Sequence, residues 1–213
     1  MDPGTVTRPR YGVGVVCLAC GQWVPGSICA RCASSLAPAP ERALPDGLLV
    51  RAPFAHEAAA RTLVRSLKYR GLLDVAGVFA AAMVPLLPTS VTALVPVPRA
   101  AARRLRFGVD PAAELAAALS RSTGLPVVNA LRAPMWWPRH AGRNRERRRG
   151  VGFTGRMPVR SSAVLIDDVA TTGATLSAAR AGLKGLPTLA LTATSVGRVV
   201  ARVYPTHRVR EVT

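Results

Sequence analysis

Two stretches of the sequence carry residue types and spacings that can do chemistry. The first is CLACGQWVPGSICARC, which sets Cys17, Cys20, Cys29 and Cys32 in a C-x2-C-x8-C-x2-C pattern. Two close pairs of thiols match the donor set of a tetrahedral zinc site, each C-x2-C turn aiming both sulfurs at one ion. Protein would then fill all four positions and leave none for water or substrate, so the expected role of this zinc is structural. Two disulfides are the competing reading. They fit poorly with a chain that shows no secretory signal, because the cytosol keeps thiols reduced.

The second stretch is AVLIDDVATTGATL, Ala163 to Leu176. Its first four residues are apolar, as a central parallel strand should be. Asp167 and Asp168 follow at the carboxyl end of that strand, where open α/β sheets bind ligands. The next residues turn into a helix, and a helix N-terminus offers free N–H groups and the positive end of a dipole to a phosphate. Gly173 permits close backbone approach, and Thr171, Thr172 and Thr175 add hydroxyl donors. The two carboxylates are acceptors, suited to the vicinal hydroxyls of a sugar or to Mg²⁺ through water. A phosphate cradle beside paired diol acceptors suits a ribose 5-phosphate group. The loop after Asp168 is neither the G-x-x-x-x-G-K-[ST] nor the G-x-G-x-x-G of the two common nucleotide loops.

The elements that must hold these residues follow from periodicity. Glu57 to Gly71 reads as an amphipathic helix, with Leu63, Val64 and Leu67 on one face. Asp110 to Gly124 reads as another, with Asp110 at the N-cap and Pro111 in the first turn. Short strands are predicted at residues 91–98, 125–131, 163–167 and 187–196, with a helix over 175–185. This alternation implies a parallel α/β sheet covered by helices on both faces. Residues 34–47, SSLAPAPERALPDG, read as a linker. The expected organisation is a zinc module with its linker over 1–45, an α/β domain over 46–200 and a basic tail over 201–213.

Composition sets the outer limits. Aromatic residues are 5% of the chain, so Val, Leu and Ala must do most of the packing. LLDVAGVFAAAMVPLLP is the nearest approach to a membrane span, but Asp74 and Pro85 interrupt it and a core helix fits better. A soluble cytoplasmic protein is expected. Lys and Arg number 29 against 11 Asp and Glu, a formal charge of +18. That charge suits a polyanionic partner, nucleic acid or a phosphorylated small molecule; a codon preference for Arg is the competing reading of the excess of Arg over Lys, but it does not explain so few acids.

AVLIDDVATTGAT closely resembles the phosphoribosyl-pyrophosphate (PRPP) signature of type I phosphoribosyltransferases. The resemblance implies a type I phosphoribosyltransferase-like sheet. It implies Asp167 and Asp168 as the catalytic-site acids on the ribose hydroxyls, and Ala170, Thr171, Thr172, Gly173, Ala174 and Thr175 around the 5-phosphate. A four-Cys knuckle ahead of such a domain resembles the competence-associated ComF family. RTLVRSLKYRG is similar to that family's early helix, ending in Lys68, Tyr69 and Gly71. LVPVPRAAARRLRFG is similar to the segment leading into the pyrophosphate loop, with Arg99 as first candidate for the pyrophosphate and Arg103 and Arg104 behind it. The sequence also departs from the family pattern. RLRFGVDPAAELA keeps Arg106 and Asp110 only, and in RHAGRNRERRRGVGF His140 and Gly150 stand near positions of Gln and Asn, with Arg147 in place.

The resemblance implies PRPP or a related phosphoribosyl ligand, with Mg²⁺, in a protein linked to competence and DNA uptake or processing. Two alternatives stay open: an active phosphoribosyltransferase in nucleotide metabolism or salvage, and a single-stranded nucleic-acid-binding zinc protein. The stretch from Arg139 to Arg149 holds six Arg and follows Trp136 and Trp137. It suits a lid over the ligand, a solvated charge run, or phosphate contacts and base stacking with single-stranded DNA. His56, His140 and His207 have no metal-ligand spacing and none is expected to be catalytic.

Overall fold

The computed structural model describes residues 15–133 and 152–196. The Arg139 to Arg149 segment, Trp136, Trp137, Gly150 and the tail from 201 lie outside the described residues. The elements run β1 (Val15–Val16), β2 (Trp23–Val24), α1 (Ala30–Ser34), β3 (Arg42–Ala43), β4 (Leu49–Arg51), β5 (Phe54–Ala55), α2 (Ala58–Arg70) and α3 (Asp74–Met83). They continue with a 3-10 turn (Val84–Leu86), β6 (Ala93–Pro96), α4 (Ala101–Phe107), α5 (Pro111–Thr123), β7 (Leu131–Arg132), β8 (Thr154–Gly155), β9 (Ala163–Ala170), α6 (Ala174–Gly182) and β10 (Leu189–Ser195).

The central sheet has the order β3-β4-β10-β9-β6, and β5 also pairs with the end of β10. All its pairings are parallel except β3 with β4. The middle strands open on apolar runs, residues 163–166 of β9 and 189–191 of β10, because both of their faces are covered there. Side chains alternate by two along each strand, so Leu94, Val164, Ile166 and Leu191 face one core while Val95, Leu165 and Ala190 face the other. The first core is closed by α2, α3 and α5 through Leu63, Leu67, Phe79, Leu115 and Leu119. The second is closed by Leu176 and Ala179 of α6, with Leu44, Leu48 and Phe153. The fold is thus mixed α/β with a mostly parallel sheet and helices on both faces. No helix among the described residues is long and apolar enough to cross a membrane.

The helices α2 and α5 stop at Gly71 and Gly124, as their sequence signals predict. The strand predicted over 125–131 is reduced to one parallel bridge between Val127 and Leu94, and Leu131 and Arg132 turn away to pair with β8. Residues 34–47, expected as a linker, pack instead: β3 joins the sheet and Leu44 is buried against α6. The cysteine region also packs onto the sheet domain, with Leu18, Ala19, Ile28 and Leu36 against the first core.

Candidate ligand pocket and metal centre

A cavity of about 490 Å³ opens beyond the carboxyl ends of β6 and β9. Asp167, Asp168, Thr171, Thr175 and Arg99 line it, together with Lys68 and His56. This is the place where a parallel sheet leaves a crevice between its loops.

β9 is longer than the sequence predicts. It runs through both acids to Ala170, with Asp167 paired to Thr192 and Ala170 to Ser195. Neighbouring strand residues point to opposite faces, so the two acids have different surroundings. Asp168 meets Lys68 from the last turn of α2, with Nζ to Oδ1 at 2.8 Å. Asp167 Oδ1 instead accepts the backbone N–H of Asp168 at 2.8 Å. Desolvation, then the charge of Asp168, pushes the Asp167 carboxyl well above the usual range, and neither the Asp168 N–H nor Lys68 offsets this. One acid is held toward its neutral form, and its neighbour is paired with a lysine.

The turn after β9 contains Thr171, Thr172 and Gly173. Gly173 is the N-cap of α6, with φ +80°; a side chain there would carry left-handed strain. Thr172 Oγ1 accepts the N–H of Ala174 at 3.3 Å. Thr171 and Thr175 line the cavity, while Ala170, Thr172, Gly173 and Ala174 belong to the same turn without being among its lining residues. Among the described residues, the backbone N–H groups of Thr171, Thr172 and Gly173 donate to no partner. Such a turn can take an anion at its N–H groups.

Arg99 also lines the cavity. Its Nη1 donates to the carbonyls of Lys68 and Val109, both at 3.2 Å, and its guanidinium lies 5.0 Å from the Phe107 ring and 5.7 Å from the Tyr69 ring. Its backbone N–H donates to Asp110 Oδ2 at 3.0 Å. Asp110 sits at the N-cap position of α5 yet makes no side-chain cap; its carboxylate ties the segment after β6 to the start of α5. Arg103 and Arg104 fall within α4.

Sequence reasoning set His56 aside, and the structure brings it to the cavity wall. Its Nδ1 lies 2.8 Å from Thr194 Oγ1 at the end of β10. Burial, then the charges of Lys68 and Arg61, lowers its pKa. No local pattern marks this residue; only the convergence of β5 and β10 places it there.

The four cysteines form a second centre. Their sulfurs all lie within 4.8 Å of one another, a group that can hold a metal such as zinc. Sulfurs at tetrahedral corners, 2.3 Å from one ion, lie about 3.8 Å apart, and Cys20 and Cys29 Sγ are 3.7 Å apart. The N–H of Cys29 donates to Cys17 Sγ and that of Cys32 to Cys29 Sγ, each at 3.4 Å. Burial raises the Cys17 thiol, but N–H groups of Cys29, Cys20 and Ala19 outweigh it and bring it down to about 6. Burial and the other three thiols push Cys32 up to about 12. Packed thiols with unequal proton affinities and N–H donors aimed at sulfur suit a cation that replaces the protons.

No protein-family model matches the chain, and a comparison with curated proteins finds no match.

Proposed function

We propose that this chain binds PRPP or a related phosphoribosyl ligand, as the resemblance to type I phosphoribosyltransferases implies. The observation that carries the reading is the junction of Asp167 and Asp168 with the Thr171–Gly173 turn at one cavity on the carboxyl edge of a parallel sheet. In this reading the N–H groups of the turn and the Thr hydroxyls take the 5-phosphate. Asp168, and Asp167 beside it, accept from the ribose hydroxyls. Lys68 balances the charge of Asp168 and supplies a cation near the ligand's remaining phosphates.

The acids fit a magnesium ion carried in by the ligand and met through water. Mg²⁺ keeps several waters and is usually bound by one or two carboxylates with substrate phosphates, and here one carboxyl of the pair is held toward neutrality. When bound, the ion would neutralise charge on the pyrophosphate oxygens. The four-Cys centre in this reading is a structural zinc site that keeps residues 15–36 folded against the sheet domain. The proposal extends to a ComF-type role in competence and DNA uptake or processing on the combination of knuckle and phosphoribosyl pocket.

Isothermal titration with PRPP and Mg²⁺ tests the reading. Binding by the wild type, lost in Asp168→Asn and in the double variant Asp167→Asn/Asp168→Asn, is the expected result. A correctly folded wild type that does not bind PRPP overturns it.

A further inference from the structure

Arg42 reaches the phosphate turn from a part of the chain that looks like a linker in sequence. Its Nη2 donates to the carbonyl of Ala170 at 3.1 Å and to that of Thr171 at 2.6 Å. Two residues on, Leu44 touches the same turn: a Cβ placed on Gly173 would lie 2.5 Å from both of its methyl carbons. The β3 segment therefore meets the turn twice, once by charge-assisted hydrogen bonds and once by packing.

The hydrogen bonds decide how the turn is oriented. A trans peptide sets its C=O and the next N–H in opposite directions. Holding the Ala170 and Thr171 oxygens toward Arg42 turns the N–H groups of Thr171 and Thr172 away from it. Those N–H groups have no partner among the described residues, and Thr171 lines the cavity. Ala170 O is fixed further by the N–H of Val196 at 2.8 Å. Thr171 O is held by Arg42 at 2.6 Å, so the second peptide plane depends most on this side chain.

We propose that Arg42 is a positioning residue for the phosphate turn, orienting the Thr171 and Thr172 N–H groups so that the turn accepts a phosphomonoester without rearrangement. The guanidinium acts through the backbone and stands behind the turn. The inference rests on the phosphoribosyl reading of the cavity. It adds that binding at this cavity is set by a residue 128 positions away from Ala170 in sequence.

The test uses the full chain, PRPP with Mg²⁺ as probe, and three variants. Arg42→Met keeps an apolar stem and removes the guanidinium. Arg42→Lys keeps the charge with a different donor geometry. Arg51→Ala removes the ion pair to Glu41 on the same ribbon and serves as control. Affinity in Arg42→Met should fall about tenfold or more, the scale of one lost charge-assisted hydrogen bond. Arg42→Lys should fall less, and Arg51→Ala should bind as the wild type does. The Thr171 and Thr172 amide resonances should move on PRPP addition in the wild type and lose that response in Arg42→Met. If Arg42→Met does not fold, Arg42→Lys decides. Wild-type binding with folded Arg42 variants within about twofold of it overturns the inference and leaves the phosphoribosyl reading standing. No PRPP binding by the wild type removes both.

Discussion

Gly173→Ala separates backbone strain from packing in the turn that feeds α6. At φ +80° an alanine takes the left-handed region, which costs roughly 1–2 kcal/mol. Its Cβ would also stand 2.5 Å from Leu44 Cδ1 and Cδ2 and 3.1 Å from Cγ, where carbon atoms rest at about 3.5–4.0 Å. Leu44 is 6% exposed and packed in the second core, so it cannot swing into solvent, and overpacking of this kind costs about 1–3 kcal/mol. The sum is about 2–5 kcal/mol, a large share of the ~5–15 kcal/mol that usually stabilises a domain. Urea denaturation of Gly173→Ala, Leu44→Ala and the double variant gives the assay. Leu44→Ala removes all three crowding carbons, so the double variant should be less destabilised than the two single losses added, by about 1–3 kcal/mol. Additivity within about 0.5 kcal/mol would refute the contact between Leu44 and the turn as the cause.

Two further outcomes follow from the same geometry. The Asp167 carboxyl is raised in the fold by desolvation and by Asp168, so the stability tied to its proton is full below its unfolded pKa and is lost as pH rises through the folded one. Asp167→Asn should therefore gain on the wild type in unfolding free energy, read by urea denaturation from pH 4 to pH 8, by at most about 1.4 kcal/mol per pH unit, while losing PRPP affinity; a gap that stays flat or narrows with pH speaks against it. Elemental analysis should find one zinc per chain, and a strong chelator or Cys29→Ser should lower the melting temperature by exposing Leu18, Ile28 and Leu36; a zinc-free protein of unchanged melting temperature would end the metal reading.

Much of the molecule was legible because its signals are local. The cysteine spacing brings four sulfurs within 4.8 Å, and a C-x2-C turn needs little beyond its own residues to do so. The apolar run at Ala163 to Ile166 reads as a strand covered on both faces, and β9 lies inside the sheet between β10 and β6. Helices α2 and α5 carry their apolar faces and glycine stops in plain view. Proline-rich 34–47 misled because its few packing residues are scattered among turn formers, and Leu44 finds its core only when α6 is present.

The chain's own order of residues determined the mixed α/β class, the cluster of four thiols and the pairing of two acids with a Thr/Gly turn. The acids and their turn depend on one strand and the residues that follow it, and each C-x2-C pair on one turn, while the two Cys pairs meet across a short span of 12 positions. Tertiary structure alone decided the rest of the cavity. It set Lys68 on Asp168, 100 positions apart; it brought His56 to Thr194; it moved the Asp110 carboxylate from helix capping to the Arg99 N–H; and it laid Arg42 against Ala170 and Thr171. These meetings are made by parallel strands that gather distant loops at one edge of a sheet, and a charged side chain carries no mark in sequence of the partner it meets there.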